Sequence, residues 1–398
     1  MVAVRRPYPG NVTDGTTEGQ HEQASADEPA GADATVRPVV VLLGSDERTA
    51  ELSVALRRLG AEVIVQSPDA ATAGAGVAGR LEADYLVPLA DAVSAPGLDA
   101  LGDRTELVPG ARSVRLTADR EALRRLAADE LGLPTAPFWF AGSVEELEAV
   151  GARAGYPLLV KPVTGPIGRG QSVVSGAEDI AAAWQHVVGH DKHHRVLAEA
   201  VVEVEVHITL LVVRSEGPSG LAIEFCSPIG HVDADAAVVE SWQPQKMSAT
   251  AADAARSVAA RVVKSLGGRG VFAVELMING DEVYFSDVTA WPGESAWVTL
   301  CSQRLSAFDL QARAILGLPV DTMMISPSAC QALKAGPMPT ADALSAALGV
   351  PESDVRVFGQ ADAAGRVGIA LSTGADLATA RERAREVASR LNVGDSRG

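Results

Sequence analysis

The order of apolar and polar residues predicts an α/β protein that opens with a parallel sheet. The continuous apolar run Val39–Leu43 is typical of a buried parallel strand. A turn, a helical pattern that ends at Gly60 and the second run Glu62–Val65 complete a βαβ unit of Rossmann type, and Tyr85–Pro88 adds a third strand. The first turn lacks the G-x-G-x-x-G pattern, so a dinucleotide is not predicted there.

The remaining pattern predicts a tail, a helix and a final α/β segment. Residues 1–37 are rich in small and polar residues and are predicted to be a disordered tail. A helical pattern follows Thr117, which is its predicted cap, and ends near Gly132. A last α/β pattern runs from Val355 to Val387.

Two acidic residues lie inside neighbouring strand-like runs. Glu275 and Asp287 flank the turn signal Asn279–Asp281, which predicts a β-hairpin with both carboxylates on one face. A charge inside an apolar strand is costly unless it is paired or bound to a metal. We therefore predict a Mg²⁺ site completed by nucleotide phosphates. The alternative is a solvated hairpin face.

A lysine at the end of an apolar strand precedes a glycine-rich turn. Lys161 can neutralise phosphate charge, and the turn can offer backbone N–H groups to a nucleotide. Further along, Glu199 lies in a strand and could accept a hydrogen bond from an adenine amine. Taken singly, these features could be an ordinary turn and an exposed strand-end carboxylate. The turn includes Gly165, Gly168, Arg169, Gly170 and Gln171.

Composition excludes several classes of protein. A chain of 398 residues with 47% hydrophobic and 21% charged residues has the make-up of a globular protein. Its net charge of −17 argues against a nucleic-acid partner. No apolar run is long enough to span a bilayer, so no membrane partner is predicted. Three widely spaced cysteines argue against a disulfide framework or a zinc site and for a reducing cytoplasm.

The ordered set of Lys161, the glycine turn, Glu199, Glu275 and Asp287 resembles the ATP-grasp superfamily. The segments GYPLLVKPV, IGRGQS, ESWQPQ and VFAVEL resemble, more narrowly, the formate-dependent phosphoribosylglycinamide formyltransferases of purine synthesis, from about residue 38 to 394. The resemblance implies a homodimer with an ATP-grasp fold. Its implied parts are a Rossmann-like domain (38–118), a small lid domain (119–202), a large domain with the metal site (203–325) and a C-terminal α/β extension (326–398).

The resemblance also implies a reaction that uses ATP and Mg²⁺. ATP phosphorylates formate to formyl phosphate, and an amine then attacks to give a formamide, ADP and phosphate. Lys161 and Arg366 are the catalytic residues that it implies, and Glu275 and Asp287 are the metal ligands. The implied nucleotide-binding residues are Arg120, Lys161, the loop Gly165–Gln171, Glu199, Ala200, Val201, Val202 and His207.

The acceptor site departs from the family pattern. Glu47-Arg48 replaces an acidic-leucine pair, Leu89 a glutamate, and Trp291-Pro292-Gly293-Glu294 an Arg-Pro-His-Asp run. Gln360 and Gly365 replace two of three phosphate-binding cations, and only Arg366 remains. Each lost charge-assisted bond costs roughly 1.5–3 kcal/mol. The predicted substrate residues are Glu47, Arg48, Leu89, Glu294, Gln360, Gly365 and Arg366.

These departures predict an acceptor amine other than phosphoribosylglycinamide, held by Glu47 or Glu294, in a specialised biosynthetic pathway. Two alternatives stay open: the ordinary enzyme of purine synthesis in a divergent form, and a non-catalytic nucleotide-binding paralogue. The retained metal and lysine positions favour an enzyme over the paralogue. His207 replaces a glutamate expected to hold the nucleotide ribose, and it could equally be a surface histidine without a ligand.

Overall fold

The computed structural model describes residues 37–67, 83–89, 105–165, 170–189, 195–217, 220–234, 237–334, 338–358 and 365–391. The predicted tail, apart from its last residue, lies outside these ranges, as do part of the glycine turn and Gln360.

The first sheet has four parallel strands in the order β2-β1-β3-β4. Helix α1 follows β1 and begins after Asp46, whose carboxylate accepts from the Thr49 N–H at 2.9 Å. The predicted βαβ unit is therefore present. Its elements are β1 (Val39–Leu43), α1 (Glu47–Arg58), β2 (Glu62–Gln66), β3 (Tyr85–Pro88) and β4 (Glu106–Leu107).

Two short helices lead from this sheet to the next. Helix α2 (Ala111–Ala118) contains Thr117, whose hydroxyl donates to the Ser113 carbonyl at 2.9 Å. Helix α3 (Arg120–Arg125) is capped by Asp119 and continues as a single π-helical segment to residue 130. The prediction that Thr117 caps the helix is therefore wrong, because Thr117 lies in the last turn of α2 and Asp119 is the residue that caps α3.

The second sheet is antiparallel, in the order β5-β8-β6-β7. Its buried residues form a separate small core with the helices α4 and α5. Lys161 and Glu199 lie on its two central strands, so this sheet positions both. The elements are β5 (Phe138–Ala141), α4 (Val144–Ala154), β6 (Leu158–Pro162), β7 (Ser172–Val174), α5 (Ile180–Val188) and β8 (Val196–Ala200).

The third sheet has nine strands, eight of them in the order β14-β13-β9-β11-β12-β15-β17-β16, with β10 paired to β9. The C-terminal strands join it because β15 pairs with β12. The strands are β9 (Val206–Gly217), β10 (Gly220–Phe225), β11 (Ile229–Ala234), β12 (Ala237–Gln243), β13 (Gly270–Asn279), β14 (Glu282–Thr289), β15 (Ser328–Lys334), β16 (Ser353–Val357) and β17 (Arg366–Thr373).

Helices cover both faces of this sheet. Helix α6 packs on Phe272 and Phe285, and α8 packs with Trp297 in the largest core. Within the described residues, no helix is both long and apolar enough to cross a membrane. The helices are α6 (Ala249–Leu266), α7 (Thr299–Ser302), α8 (Ala307–Ile315), α9 (Ala341–Leu348) and α10 (Leu377–Leu391), and a 3₁₀ segment (Glu294–Val298) precedes α7.

Candidate active site

The two predicted metal ligands face each other across the β13–β14 hairpin. Glu275 is the direct cross-strand partner of Asp287, so both side chains leave the sheet on one face. The turn at Gly280, with φ of 59°, closes the hairpin as the sequence predicts. The Asp287 residue is only 7% exposed. The Glu275 side chain is less deeply buried, at 20% exposed, but two carboxylates on one face still require a cation or hydrogen-bond donors nearby.

Glu275 belongs to a network of buried polar side chains. Its carboxylate accepts from the Thr209 hydroxyl at 2.9 Å and from His231 Nε2 at 3.0 Å. His231 Nδ1 lies 3.0 Å from Asp233, and the Thr209 hydroxyl lies 2.6 Å from that of Ser295. Burial alone would lower the pKa of His231, but its two carboxylate partners raise the pKa to about 10. A protonated ring therefore holds Glu275 in place.

Arg120 joins Asp287 to the second sheet. Its Nε lies 3.5 Å from Asp287 Oδ2, while its two terminal nitrogens donate to the carbonyls of Pro162 (2.9 Å) and Gly165 (2.8 Å). The guanidinium is 7% exposed. The β13–β14 hairpin, which carries the two predicted metal ligands, is called the metal hairpin below. Arg120, a predicted nucleotide-binding residue, thus lies between the metal hairpin and the strand that carries Lys161.

Lys161 and Glu199 form a buried ion pair with a third residue, Arg124. The Lys161 ammonium lies 2.5 Å from Glu199 Oε2, and Arg124 pairs with the other carboxylate oxygen. Burial alone would raise the pKa of Glu199, but Lys161 and Arg124 outweigh it and lower the pKa. Glu199 is therefore a buried residue and not an exposed strand-end carboxylate, and each of its oxygens is paired with a cation.

The glycine turn and the strand after it are only partly described. Gly165 and Gly170 both have positive φ, at 101° and 66°, and residues 166–169, which include Gly168 and Arg169, lie outside the described ranges. The N–H groups of Ala200 and Val201 donate to the carbonyls of Pro137 and Pro157. Those two N–H groups are therefore not available to a base.

His207 stands at the edge of this site. It is exposed, and its ring centroid lies 6.1 Å from that of His231. It pairs with His231 across β9 and β11 and with Met277 across β9 and β13, so it occupies the strand next to the metal hairpin.

The residue types at the metal hairpin fit Mg²⁺. The paired side chains supply hard oxygen donors, which magnesium prefers over nitrogen or sulfur. No cluster of three or more acidic, histidine or cysteine side chains that could hold a metal was found among the residues the structure describes. A magnesium ion here would therefore need phosphate oxygens and water as its remaining ligands, as expected for a nucleotide-bound metal.

Two of the predicted acceptor residues, Glu294 and Arg366, meet where the C-terminal strands approach the 3₁₀ segment. Arg366, 7% exposed, donates to Glu294 Oε2 at 3.0 Å. The same carboxylate oxygen accepts from the Val238 N–H at 3.2 Å. Gly365 has a φ of 75°, a conformation that disfavours any side chain there. The one retained cation is thus buried and held by an acidic partner.

A second arginine lies at the same end of the site. The Arg48 guanidinium stacks on the Trp291 ring, 4.0 Å from its centroid, and pairs with Asp46 at 2.6 Å. Burial alone would raise the pKa of Asp46, but Arg48 and the donors of Thr49 lower it. Trp291 therefore does not make this end of the site purely aromatic, because a cation covers its face.

The other predicted acceptor residues have simpler surroundings. Glu47 is the first residue of α1, and Leu89 is buried against Gly44 after β3. Gly293 lies over β13, where an added Cβ would come within 3.7 Å of Ala273. Gln360 falls outside the described residues.

Sequence reasoning missed two residues of the site, Arg124 and His231. Arg124 lies one helical turn after Arg120, and this i, i+4 spacing was the available signal that both face the same way. His231 had no comparable signal, because its partner Glu275 is 44 residues away.

Comparisons with known proteins identify the class. Residues 126–308 match the ATP-grasp domain, and residues 339–391 match the PurT C-terminal domain. Carboxyaminoimidazole ribonucleotide synthase from Aspergillus clavatus, a structure with ATP, aligns with a TM-score of 0.79 at 21% identity over 89% of this chain and 99% of that one, which supports the fold alone. The protein is an ATP-grasp enzyme, and the predicted α/β fold class is confirmed.

Closer relatives define the family. The formate-dependent phosphoribosylglycinamide formyltransferase of Rhodococcus jostii is 42% identical over 88% of this chain and 94% of its own length. The structure of glycinamide-RNase-transformylase T from Mycobacterium tuberculosis is 57% identical, with a TM-score of 0.76, and covers 89% of this chain and 100% of that one. This chain belongs to the family of formate-dependent phosphoribosylglycinamide formyltransferases.

These relatives contradict the prediction of a different acceptor amine. At this identity and coverage they favour the ordinary enzyme of purine synthesis, which the sequence left as an alternative. The prediction rested on residue types read one position at a time, among them Gln360, Gly365 and Arg366. The structure places a further arginine, Arg48, against Trp291 in the same region, which a position-by-position reading does not reveal.

Proposed function

We propose that this protein is a formate-dependent phosphoribosylglycinamide formyltransferase. The observation that carries the proposal is the pairing of Glu275 with Asp287 on one hairpin face, with Arg120 linking Asp287 to the strand of Lys161. This arrangement suits a bound nucleotide whose phosphates lie between the hairpin and the second sheet. We infer the identity of the carboxylate, formate, and of the amine, phosphoribosylglycinamide, from the family to which the chain belongs.

The first step would be phosphoryl transfer. A formate oxygen attacks the γ-phosphorus of ATP, the bond to the bridging oxygen breaks, and ADP leaves with the electron pair. Lys161 and Arg120 offset charge on the phosphates, which is the main contribution a protein makes to this chemistry. Glu275 and Asp287 would hold Mg²⁺, which when bound neutralises charge on the β- and γ-phosphates.

The second step would be acyl transfer. The substrate amine attacks the formyl carbon, the C–O bond breaks and phosphate leaves with its electron pair, and the nitrogen gives up its proton to the departing phosphate or to solvent. Glu294 has one carboxylate oxygen bound to Arg366 and Val238, and we assign the other to the amine. We assign Arg366 to the substrate phosphate and Arg48 to a supporting cationic role.

Two further parts of the proposal concern the cellular location and the oligomeric state of the protein. We place it in the cytoplasm, in keeping with three cysteines that lie in the described part of the chain and form no disulfide. The homodimer implied by the resemblance stays a prediction.

The test is a reconstitution with purified protein. We expect ADP release that requires ATP, Mg²⁺, formate and phosphoribosylglycinamide together, with the formamide detected by mass spectrometry. The Glu275→Gln variant serves as the inactive control. Formate-dependent ADP release with other amines, but none with phosphoribosylglycinamide, would refute the proposed acceptor.

A further inference from the structure

A buried arginine outside the predicted nucleotide-binding set, Arg124, shares the carboxylate of Glu199 with Lys161. We infer that Arg124 is a positioning residue, which orients Lys161 through Glu199 and fixes the metal hairpin relative to the second sheet. The inference rests on the proposed nucleotide site. It does not depend on the identity of the acceptor.

Arg124 uses its guanidinium to connect two sheets. It pairs with Glu199 on β8 of the second sheet. It also donates to the carbonyls of Phe285 (3.2 Å) and Ser286 (2.8 Å) on β14, the strand that carries Asp287. Its side chain is only 4% exposed. A guanidinium presents its donors in a rigid fork, so these bonds set the spacing between the strands that carry Glu199 and Asp287.

The charges around Glu199 explain why Lys161 needs this neighbour. Lys161 and Arg124 share one carboxylate, so the group of three keeps one positive charge for an anionic ligand. Without Arg124, Lys161 and Glu199 would form a neutral pair in a poorly solvated place. The ammonium would then be held by the carboxylate and would attract phosphate less.

The next residue in the chain provides a matched comparison. Arg125 carries the same side chain, but it points to the surface, 52% exposed, and pairs with Glu121 at 2.8 Å on the same helix. It also lies over Phe140, 5.1 Å from the ring centroid. Exposed i, i+4 pairs contribute little to stability, so changes at Arg125 should leave the nucleotide site intact.

The test compares Arg124→Lys and Arg124→Gln with Arg125→Lys and Arg125→Gln in the full-length protein. We first measure the affinity for ATP with Mg²⁺ by calorimetry, without formate or amine. We then measure kcat, the KM for ATP and the KM for the amine. Arg124→Lys keeps the charge but loses the fork, and we expect ATP to bind roughly tenfold more weakly. Arg124→Gln also loses the charge, and we expect a loss of roughly a hundredfold.

A purely structural role would not produce this pattern. We expect the KM for ATP to rise and the KM for the amine to stay unchanged, with the Lys variant closer to the wild type than the Gln variant. If Arg124→Gln does not fold, as judged by thermal melting, the Lys variant decides. Wild-type ATP affinity in a folded Arg124→Lys protein, or an equal loss in Arg125→Lys, would overturn the inference. ATP binding is measured without an amine. The binding result can therefore be interpreted even if phosphoribosylglycinamide proves not to be the substrate.

Discussion

Replacing Arg366 by methionine tests the acceptor assignment most directly. Arg366 is the residue that we assign to the substrate phosphate, and its side chain is 8% exposed. Methionine keeps much of the buried apolar stem and removes the charge. The change therefore isolates the charge-assisted contact that we assign to the substrate phosphate.

The size of the effect follows from that contact. A hydrogen bond to a charged group contributes roughly 1.5–3 kcal/mol, which corresponds to a loss of about 10- to 150-fold in kcat/KM for phosphoribosylglycinamide. The stability cost should be smaller than the roughly 3–5 kcal/mol of breaking a fully buried pair. The reason is that Glu294, the partner left behind, is 29% exposed and can be hydrated.

The assay is steady-state ADP release at varied amine concentration, with ATP and formate saturating. Lys334 is the control, because it lies opposite Arg366 in the β15–β17 register and its side chain is exposed. We expect Lys334→Met to behave as the wild type, and the KM for ATP to be unchanged in both variants. An unchanged kcat/KM for the amine in Arg366→Met would refute the assignment of Arg366 to the phosphate.

Three further predictions concern the metal, the nucleotide and the cysteines. Glu275→Gln and Asp287→Asn should each abolish ATP turnover while circular dichroism stays native, because an amide is a poor ligand for Mg²⁺; normal turnover by the double variant would exclude this metal site. Lys161→Met should weaken ATP binding strongly and leave amine affinity little changed, and an unaltered ATP affinity in calorimetry would contradict the phosphate role. Burial raises the pKa of Cys226 to about 12 and that of Cys301 to about 11. At pH 8 both should stay protonated and resist iodoacetamide until the protein is unfolded, so rapid alkylation of native protein, seen by intact mass, would count against their burial.

The parts of the site that the sequence predicts are those set by local structure. A turn signal between two strand-like runs was enough to predict the hairpin, because a short turn fixes the register near it, with Asn279 opposite Glu282. Continued unchanged, that register would place Ser286 opposite Glu275. A β-bulge next to Glu275, which the sequence does not signal, brings Asp287 opposite it instead. The place of Lys161 on a strand of the second sheet followed from an apolar run in the same way. The cap at Asp119 was missed because Thr117 and Asp119 are both good capping residues, and only tertiary structure decides where the helix breaks.

The parts that the sequence does not predict depend on contacts between distant segments. Arg124 contacts Phe285 and Ser286, 161 and 162 residues later in the chain, and no local pattern links them. The stacking of Arg48 on Trp291 is likewise invisible in either segment alone. In the sequence, Arg48 and Trp291 each count as the loss of a family residue. In the structure, their side chains meet and keep a cation in that region.

Glu294 and Ser295 are consecutive residues, yet they contact different halves of the site. Glu294 binds Arg366 on the acceptor side, and the Ser295 hydroxyl reaches Thr209 and through it Glu275 on the metal side. One peptide bond therefore joins a residue that we assign to the amine to the hydrogen-bond network of a predicted metal ligand, so that a shift of the 3₁₀ segment displaces both groups together.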